Sequence, residues 1–485
     1  MVKVRGCDSC RSSRVKCDNQ RPICGRCSRL QRPCTGYRDP TDLIIVQDET
    51  QSGRASSAQE RSPRSATIAD RESVSRSRYV PPQHYTACQK LPWMRSDLAN
   101  EPRPRLHDIA VSRFFAHYVL YPNRHVGDDG YLPDLPYFYS RSSDGSTLQS
   151  AVRACALASF ANASRQCELS VRACRAYGRA LETLKGNILD TAVMKRDDTL
   201  MSVLVLDFYA VLTDKTPAFL GPHSTAIAAI LQARGNQQIR TTVGWNLFRV
   251  AHRRVQHRKM FMRALSQPIE TLSWFEDTAP SHIEARLGYN GCRIINACQR
   301  AKDILASEDP TSDLVNMIEE LHTIAIETSA WTDLLPESWL PWTSSDMPHD
   351  PESTLPDDLI PRTNIQYSDI WIANTWNCHR TYQVHLHETL FECYSALPST
   401  TPPSSAQDKI RDAVRRLTND MLDSIPLLLG VNGEMQYHPE LGSYYAFGVI
   451  DYVGKSVLAG EEQREMARRL GGRILEGWKG RGEVR

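Results

Sequence analysis

From about residue 106 onward, apolar positions recur with a helical period. LHDIAVSRFFAHYVLY (106–121) carries one apolar face, and TLQSAVRACALASFANAS (147–164) is rich in small residues suited to close helix packing. Asp197, Asp198 and Thr199 offer N-caps to the helix LMSVLVLDFYAVL. In that helix Leu200, Val203, Leu204, Phe208 and Val211 follow helical spacing, while Met201 and Val205 make the other side apolar too. Such a pattern predicts a helix buried on both sides. Further helical runs are expected near 223–234, 284–307, 312–334, 365–396, 405–430 and 462–478. Strand signals are nearly missing, and no internal repeat of solenoid type is visible. The pattern predicts a mainly α protein, with residues 106–485 forming a large all-α domain of ten or more helices.

Upstream the pattern lapses. The stretch 51–78 is built largely from Ser, Arg, Ala and Glu, with eight serines in 28 residues, and Pro81-Pro82, Pro102 and Pro104 follow it. Such composition cannot bury enough apolar area to offset the entropy of ordering the chain, so residues 41–105 are expected to be a flexible linker. Leu43-Ile44-Ile45-Val46 is a short apolar piece within it, and no leucine-zipper heptad is present.

The first 40 residues are different again. Cys7, Cys10, Cys17, Cys24, Cys27 and Cys34 are spaced C-x2-C-x6-C-x6-C-x2-C-x6-C, as two near-copies of one unit, CDSCRSSRVKC and CGRCSRLQRPC. Thiolates at this spacing bind metal. Two tetrahedral zinc ions need eight ligand positions and six thiolates are present, so two sulfurs must bridge if both metals bind. The pseudo-symmetry makes Cys7 and Cys24 the natural bridges. One zinc would use Cys7, Cys10, Cys17 and Cys24; the other would use Cys24, Cys27, Cys34 and Cys7. The competing readings are a disulfide framework and an iron–sulfur site. The compartment argues against the first, and the usual cluster spacings differ from this one. A segment with so few apolar residues has no core of its own, so the metal would supply its folding free energy.

Composition sharpens this picture through charge. The 485-residue chain carries +2 overall, but residues 1–40 hold ten Lys and Arg against three Asp, a net of +7, leaving −5 for the rest. With two Zn²⁺ and six thiolates the segment stays near +5. A local excess of positive charge points to a local polyanionic partner, double-stranded DNA. The remaining eight cysteines (88, 155, 167, 174, 292, 298, 378, 393) are scattered, mostly through apolar helical patterns. No secretory h-region opens the chain and no run of 18 apolar residues occurs, so a reducing intracellular setting with no membrane contact is expected. There the scattered cysteines act as small buried hydrophobes, and the sequon Asn162-Ala163-Ser164 carries no glycan.

CDSCRSSRVKCDNQRPICGRCSRLQRPC, residues 7–34, resembles the fungal binuclear zinc-cluster (Zn2Cys6) transcription factors. The six cysteines, the basic helix, Asp18 and Pro22 all fall in the family's places. GYRDPTDLI resembles the tail of one branch of the family. More diffusely, DDTLMSVLVLDFYA and WNCHRTYQVHLHETL resemble parts of its helical fungal-specific transcription-factor domain. The resemblance implies a small Zn2Cys6 DNA-binding domain over 1–40 with two zinc ions and a regulatory domain over 106–485. It implies a nuclear transcription regulator of the RNA polymerase II type that partners with the transcription machinery. The family's base-reading residue lies four positions after the second cysteine, which is Arg14 here, and the preferred triplets are CGG-like. An arginine bidentate to guanine is worth about 1–3 kcal/mol of discrimination. One position departs from the pattern: Ser13 stands where the family commonly carries a basic residue. Arg11, Lys16, Arg21, Arg26, Arg29 and Arg32 are candidates for phosphate contact. One triplet is a small footprint, so a second half-site and a homodimer are expected. With no coiled coil after the cluster, the helical region would make the dimer, or the protein binds as a monomer.

Weaker signals lie elsewhere. His385, His387, Cys378 and Cys393 fall on one expected helix, but the i, i+2 spacing points the two histidines to different faces, which favours structural or solvated roles. HRRVQHRK (252–259) reads as an exposed basic helix face. Residues 331–370 hold eight acidic residues, one basic residue, three tryptophans and six prolines, as in an activation segment or, more simply, a proline-rich loop within the helical domain. No nucleophile–base constellation or phosphate loop appears, so an enzyme is not expected. The alternative function is a thiolate-based metal- or redox-sensing regulator in which the cluster itself is the switch; an enzyme in the helical domain with an accessory zinc knob ranks third.

Overall fold

The computed structural model describes residues 10, 15–18, 24–31 and 34 near the N-terminus, and then 105–121, 130–213, 223–261, 272–276, 282–308, 311–344, 359, 361, 363–397, 404–430 and 439–479. The chain divides into two units, Met1–Pro92 and Trp93–Arg485. Residues 41–104, which hold almost all of the expected linker, lie outside the described residues.

Among the described residues, the regular structure of the second unit is helical, apart from one short strand pair and an isolated bridge between Leu120 and Tyr131. Its main helices are α1 (Leu106–Tyr118), α2 (Leu135–Arg141), α3 (Thr147–Ser164), α4 (Cys167–Asn187), α5 (Asp197–Thr213), α6 (Ser224–Arg234), α7 (Thr242–Phe261), α8 (Ile283–Leu305), α9 (Thr311–Ser329), α10 (Ile370–Ala396), α11 (Ser404–Asp423), α12 (Pro439–Lys455) and α13 (Glu461–Lys479). The strands β1 (Trp342–Ser344) and β2 (Asn364–Gln366) pair antiparallel, with Thr343 opposite Ile365. Among the described residues no helix is long and apolar enough to cross a membrane.

Local chemistry sets several of the boundaries. Ser146 caps α3, its hydroxyl accepting from the Gln149 amide at 3.3 Å, and the helix ends on Arg165 in the left-handed region. Ala151, Ala154, Ala158 and Ala161 then let α3 lie close against α1, α4 and α5. α5 is buried on every side from Thr199 to Leu212, as its two-sided apolar pattern requires. It starts at Asp197, so Asp197 and Asp198 sit in the first turn rather than at the cap that the sequence predicts. There they face the positive end of the helix dipole, and Asp197 pairs with Arg234 at 2.6 Å.

The longest helix, α10, begins on a cap in which the Asp369 carboxylate accepts from the Trp371 amide at 2.6 Å. It packs against α8, α9, α11 and α12 and is the axis of this half of the unit. It is not uniformly apolar: Thr375, Asn377, His379, Arg380, Gln383 and His385 are all buried. Their partners lie on neighbouring helices or the next turn, as where the Asn377 amide donates to Ser424 at 2.9 Å and the Gln383 amide to Thr328 at 2.9 Å.

Several elements depart from the sequence expectations. α4, α7 and α12 are full helices where the apolar pattern predicts no helical run. The run 312–334 ends as α9 at Ser329 and continues as a 3₁₀ helix, Ala330–Leu334. The run 405–430 breaks after Asp423 into the short helix Ile425–Leu428. The run 365–396 opens as strand β2, and only from Ile370 as helix. The stretch 252–259 does not form an exposed face. It lies within α7 with His252 and Gln256 buried, and Arg253 and Arg254 are only 15% and 10% exposed. Part of the acidic, proline-rich stretch is packed: Trp331 and Trp339 are buried, and the Trp376 indole donates to the Trp339 carbonyl at 2.8 Å. Residues 345–358 lie outside the described residues.

Of the scattered cysteines, Cys155, Cys298, Cys378 and Cys393 are buried thiols, as small hydrophobes should be. Burial pushes Cys378 up from the usual thiol range and Cys393 up to about 11. Cys167 and Cys174, both on α4, are exposed instead, because α4 buries the face that carries Leu169, Ala173, Ala176, Ala180 and Leu184.

Candidate metal centre and nucleic-acid interface

The N-terminal unit has no aliphatic core among its described residues. What is buried there is sulfur: Cys10, Cys24 and Cys27 are no more than 1% exposed, with Val15, Cys17 and Cys34 packed around them. The short helix Gly25–Arg29 is capped by Cys24, whose Sγ accepts from the Cys27 amide at 3.3 Å. Asp18 accepts from the Gly25 amide at 3.1 Å, tying the chain between the two cysteine halves to the start of that helix. The Val15 amide donates to the Cys10 carbonyl at 3.0 Å, closing the turn of the first half.

These constraints gather the thiols into two groups that share one member. The Sγ atoms of Cys10, Cys17 and Cys24 lie within 4.8 Å of one another, and so do those of Cys24, Cys27 and Cys34. Cys10 and Cys24 are 3.7 Å apart, sulfur to sulfur, and Cys10 and Cys27 are 4.0 Å apart. Two sulfurs on one tetrahedral zinc, each at about 2.3 Å, stand about 3.8 Å apart. The donor set and its spacing therefore fit zinc, and Cys24 occupies the shared corner that ligand counting reserves for a bridge. Cys7, the second expected bridge, lies outside the described residues.

Of the basic candidates, Lys16 and Arg29 are exposed. Arg26 is half-buried, with its Nε enclosed, which leaves its terminal nitrogens the better placed for an outside anion. The Arg29 Nε donates back to the Gly25 carbonyl at 3.3 Å, holding that side chain along the helix. Arg11, Arg14, Arg21 and Arg32 lie outside the described residues.

A cysteine-cored, two-centre metal fold of this kind defines the binuclear zinc-cluster class. Residues 5–43 match the model of the fungal Zn(2)-Cys(6) binuclear cluster domain. The N-terminal segment is such a domain, and zinc is its cofactor. The curated relatives it matches include "Sterol uptake control protein 2" of Candida albicans, 45% identical over 40 residues, which are 8% of this chain and 6% of the relative. "Quinic acid utilization activator" of Emericella nidulans is 56% identical over 36 residues, 7% of this chain and 4% of the relative. "White-opaque regulator 2" of Candida albicans is 45% identical over 38 residues, 8% of each. The chain thus spans under a tenth of the length of each of these relatives. No solved structure matches it. The helical second unit fits the all-α regulatory domain that the sequence resemblance implies.

Sequence reasoning did not find a buried charge cluster in the second unit. Glu284 on α8 is 1% exposed and lies 3.3 Å from Arg249 and 3.2 Å from Arg253, both on α7. The two guanidiniums stack on the Trp371 ring, 4.4 and 4.6 Å from its centroid. The next residue, Arg254, pairs with buried Asp207 of α5 at 2.7 Å. The two arginines hold the Glu284 carboxyl below its ordinary range despite burial. The signal was present as consecutive arginines on a helix, but their acidic partners are tens of residues away in the chain.

His385 and His387 are held by their own helix and its neighbour. The His387 Nδ1 lies 2.7 Å from the Gln383 carbonyl, and the Cys298 thiol approaches the His385 carbonyl at 4.0 Å.

Proposed function

We propose that this protein is a sequence-specific DNA-binding transcription regulator. In this reading residues 1–40 contact DNA, 41–105 tether, and 106–485 regulate or assemble. The observation that carries it is the pair of thiol groups sharing Cys24 inside a segment of net charge +7. A metal-folded knob without an apolar core gains nothing by being basic unless it meets a polyanion. The likeness of residues 5–43 to a domain found in proteins named as an activator and a regulator supports the same reading.

Cys7 and Cys24 bridge the two zinc ions; Cys10 and Cys17 complete one site, Cys27 and Cys34 the other. Arg14 reads a guanine of a CGG-like triplet in the major groove. Arg11, Lys16, Arg21, Arg26, Arg29 and Arg32 contact phosphates and set the register. The protein acts in the nucleus on RNA polymerase II genes, as a homodimer built by its helical unit.

The test uses the full-length zinc-loaded chain and fluorescence anisotropy on duplexes with and without CGG. Arg14→Ala should leave zinc content unchanged and cut the preference for CGG by about 5–150-fold, the equivalent of 1–3 kcal/mol. Arg29→Ala should weaken binding to both duplexes alike and shallow its salt dependence. Unselective binding by the unaltered protein at moderate salt would overturn the reading.

A further inference from the structure

The second unit encloses a cavity that the DNA reading does not use. It lies between α5, α7, α10 and α12, beneath the Arg254–Asp207 pair. Its free space admits the centres of water-sized spheres over about 80 Å³, where a single water needs about 10–15 Å³. The walls are mostly apolar and aromatic, with Leu204, Val211, Val250, Trp371 and Phe447 among them. An apolar chamber with a few converging polar groups is the usual form of a small-molecule site.

Two features define what it would take. The first is charge. Arg249, Arg253 and Arg254 are opposed by Glu284 and Asp207, with Asp369 close enough to act on the Tyr445 phenol. Nearby His257 is pushed down to about 3 by burial and by the two arginines beside it, so it too is neutral near pH 7. A shell of balanced charge gives an ionic guest no advantage to offset its desolvation. The second is unmet hydrogen bonding. Tyr445 lines the cavity, is only 6% exposed, and its hydroxyl is buried with no hydrogen-bond partner. Arg253 lines it too. Its Nη2 donates to Glu284 and Thr375 while its Nη1 is enclosed without a partner. The Arg253 nitrogen only donates and the Tyr445 hydroxyl can donate as well as accept, and a buried donor left unpaired is costly. The complement is a ligand oxygen that only accepts.

We propose that this cavity binds a small, uncharged aromatic molecule bearing a carbonyl oxygen, its ring among Trp371, Phe447 and the aliphatic walls and its oxygen toward Tyr445 and Arg253. The site is independent of the DNA reading and stands or falls separately.

The test titrates the full-length zinc-loaded protein with acetophenone, with ethylbenzene and benzoate as comparisons, by calorimetry and thermal shift. Acetophenone should raise the melting temperature and bind about tenfold or more tighter than either comparison, a difference equal to one good hydrogen bond or one uncompensated charge. Tyr445→Phe removes only an unpartnered hydroxyl, so the apo protein should melt no lower. Its affinity for acetophenone should fall toward that of ethylbenzene. Val211→Phe fills the chamber and should abolish binding of both. Absence of acetophenone binding would mean that the chamber holds water alone and would overturn the proposal. So would equal binding by wild type and both variants, or benzoate binding as tightly as acetophenone.

Discussion

Glu284 is a carboxylate with almost no access to water, held between two arginines and the Thr375 hydroxyl at 3.3 Å. Removing one partner of a buried ion pair costs more than the pair is worth, because the opposite charge stays behind undissolved. Glu284→Ala leaves Arg249 and Arg253 stacked on Trp371 with their main counter-charge gone. It should destabilise the helical unit by about 3–5 kcal/mol in urea titration. Glu284→Gln keeps the shape but loses the charge and should recover only part of that. A loss below 1 kcal/mol for the alanine variant would show that the arginines find other partners. Arg14 stands at the opposite extreme: its proposed role rests on its place in a cysteine pattern, whereas that of Glu284 rests on neighbours the pattern does not mention.

Helices meet where the smallest side chains allow it. Gly442 in the first turns of α12 faces the end of the Ile425–Leu428 turn so closely that an added Cβ would stand 1.6 Å from the Leu428 carbonyl oxygen. That neighbour is backbone and cannot rotate away. Gly442→Ala should therefore cost about 1–3 kcal/mol as an overpacked contact, though alanine is the better helix former by about 1 kcal/mol. A melting temperature raised by the substitution would show that the two elements do not touch. Helix periodicity was readable in α1 and α5 because their apolar residues are large. α4 was passed over because Ala173, Ala176 and Ala180 carry its buried stripe, and alanine contrasts weakly with polar neighbours. α7 was not legible for a different reason: its buried face includes Asn246, Arg249, His252 and Gln256, polar residues made tolerable inside by partners distant in the chain, Asp134 for Asn246, Glu284 for Arg249 and Cys292 for His252 and Gln256.

Two responses belong to the protein as a whole. Burial, with neighbouring cations, pushes His252, His257, His379 and His385 down to about 3. Unfolded histidine titrates near 6.5, so above that pH neither state takes protons and stability is level. As pH falls from about 6.5 toward 3 the unfolded chain binds protons that the folded chain refuses. Stability then drops with a limiting slope of about 1.4 kcal/mol per pH unit for each histidine. Denaturant midpoints measured between pH 7 and pH 5 should fall steeply, and a flat profile would mean these rings are solvated. Metal removal should act on the other unit. A chelator at neutral pH should abolish DNA binding, because the cysteine-cored segment has no aliphatic core among its described residues to hold it together. The far-UV helical signal should change little, since that signal comes from helices packed on a core of their own. Collapse of the helical signal on chelation would mean that the second unit depends on the metal.

The chain alone sufficed for the class of metal fold and the helical character of the second unit. Each is local: cysteines at fixed spacing reach one ion with few alternatives, and a repeating apolar face identifies its helix within a few turns. Burial of the 252–259 stretch, the pairing of Arg254 with Asp207 and of Arg253 with Glu284, and the chamber beneath them came only from tertiary structure. A run of arginines reads as solvated until carboxylates from distant helices close over it. Whether a charge lies inside or outside is decided by what packs against it, and that is a property of the assembled helices.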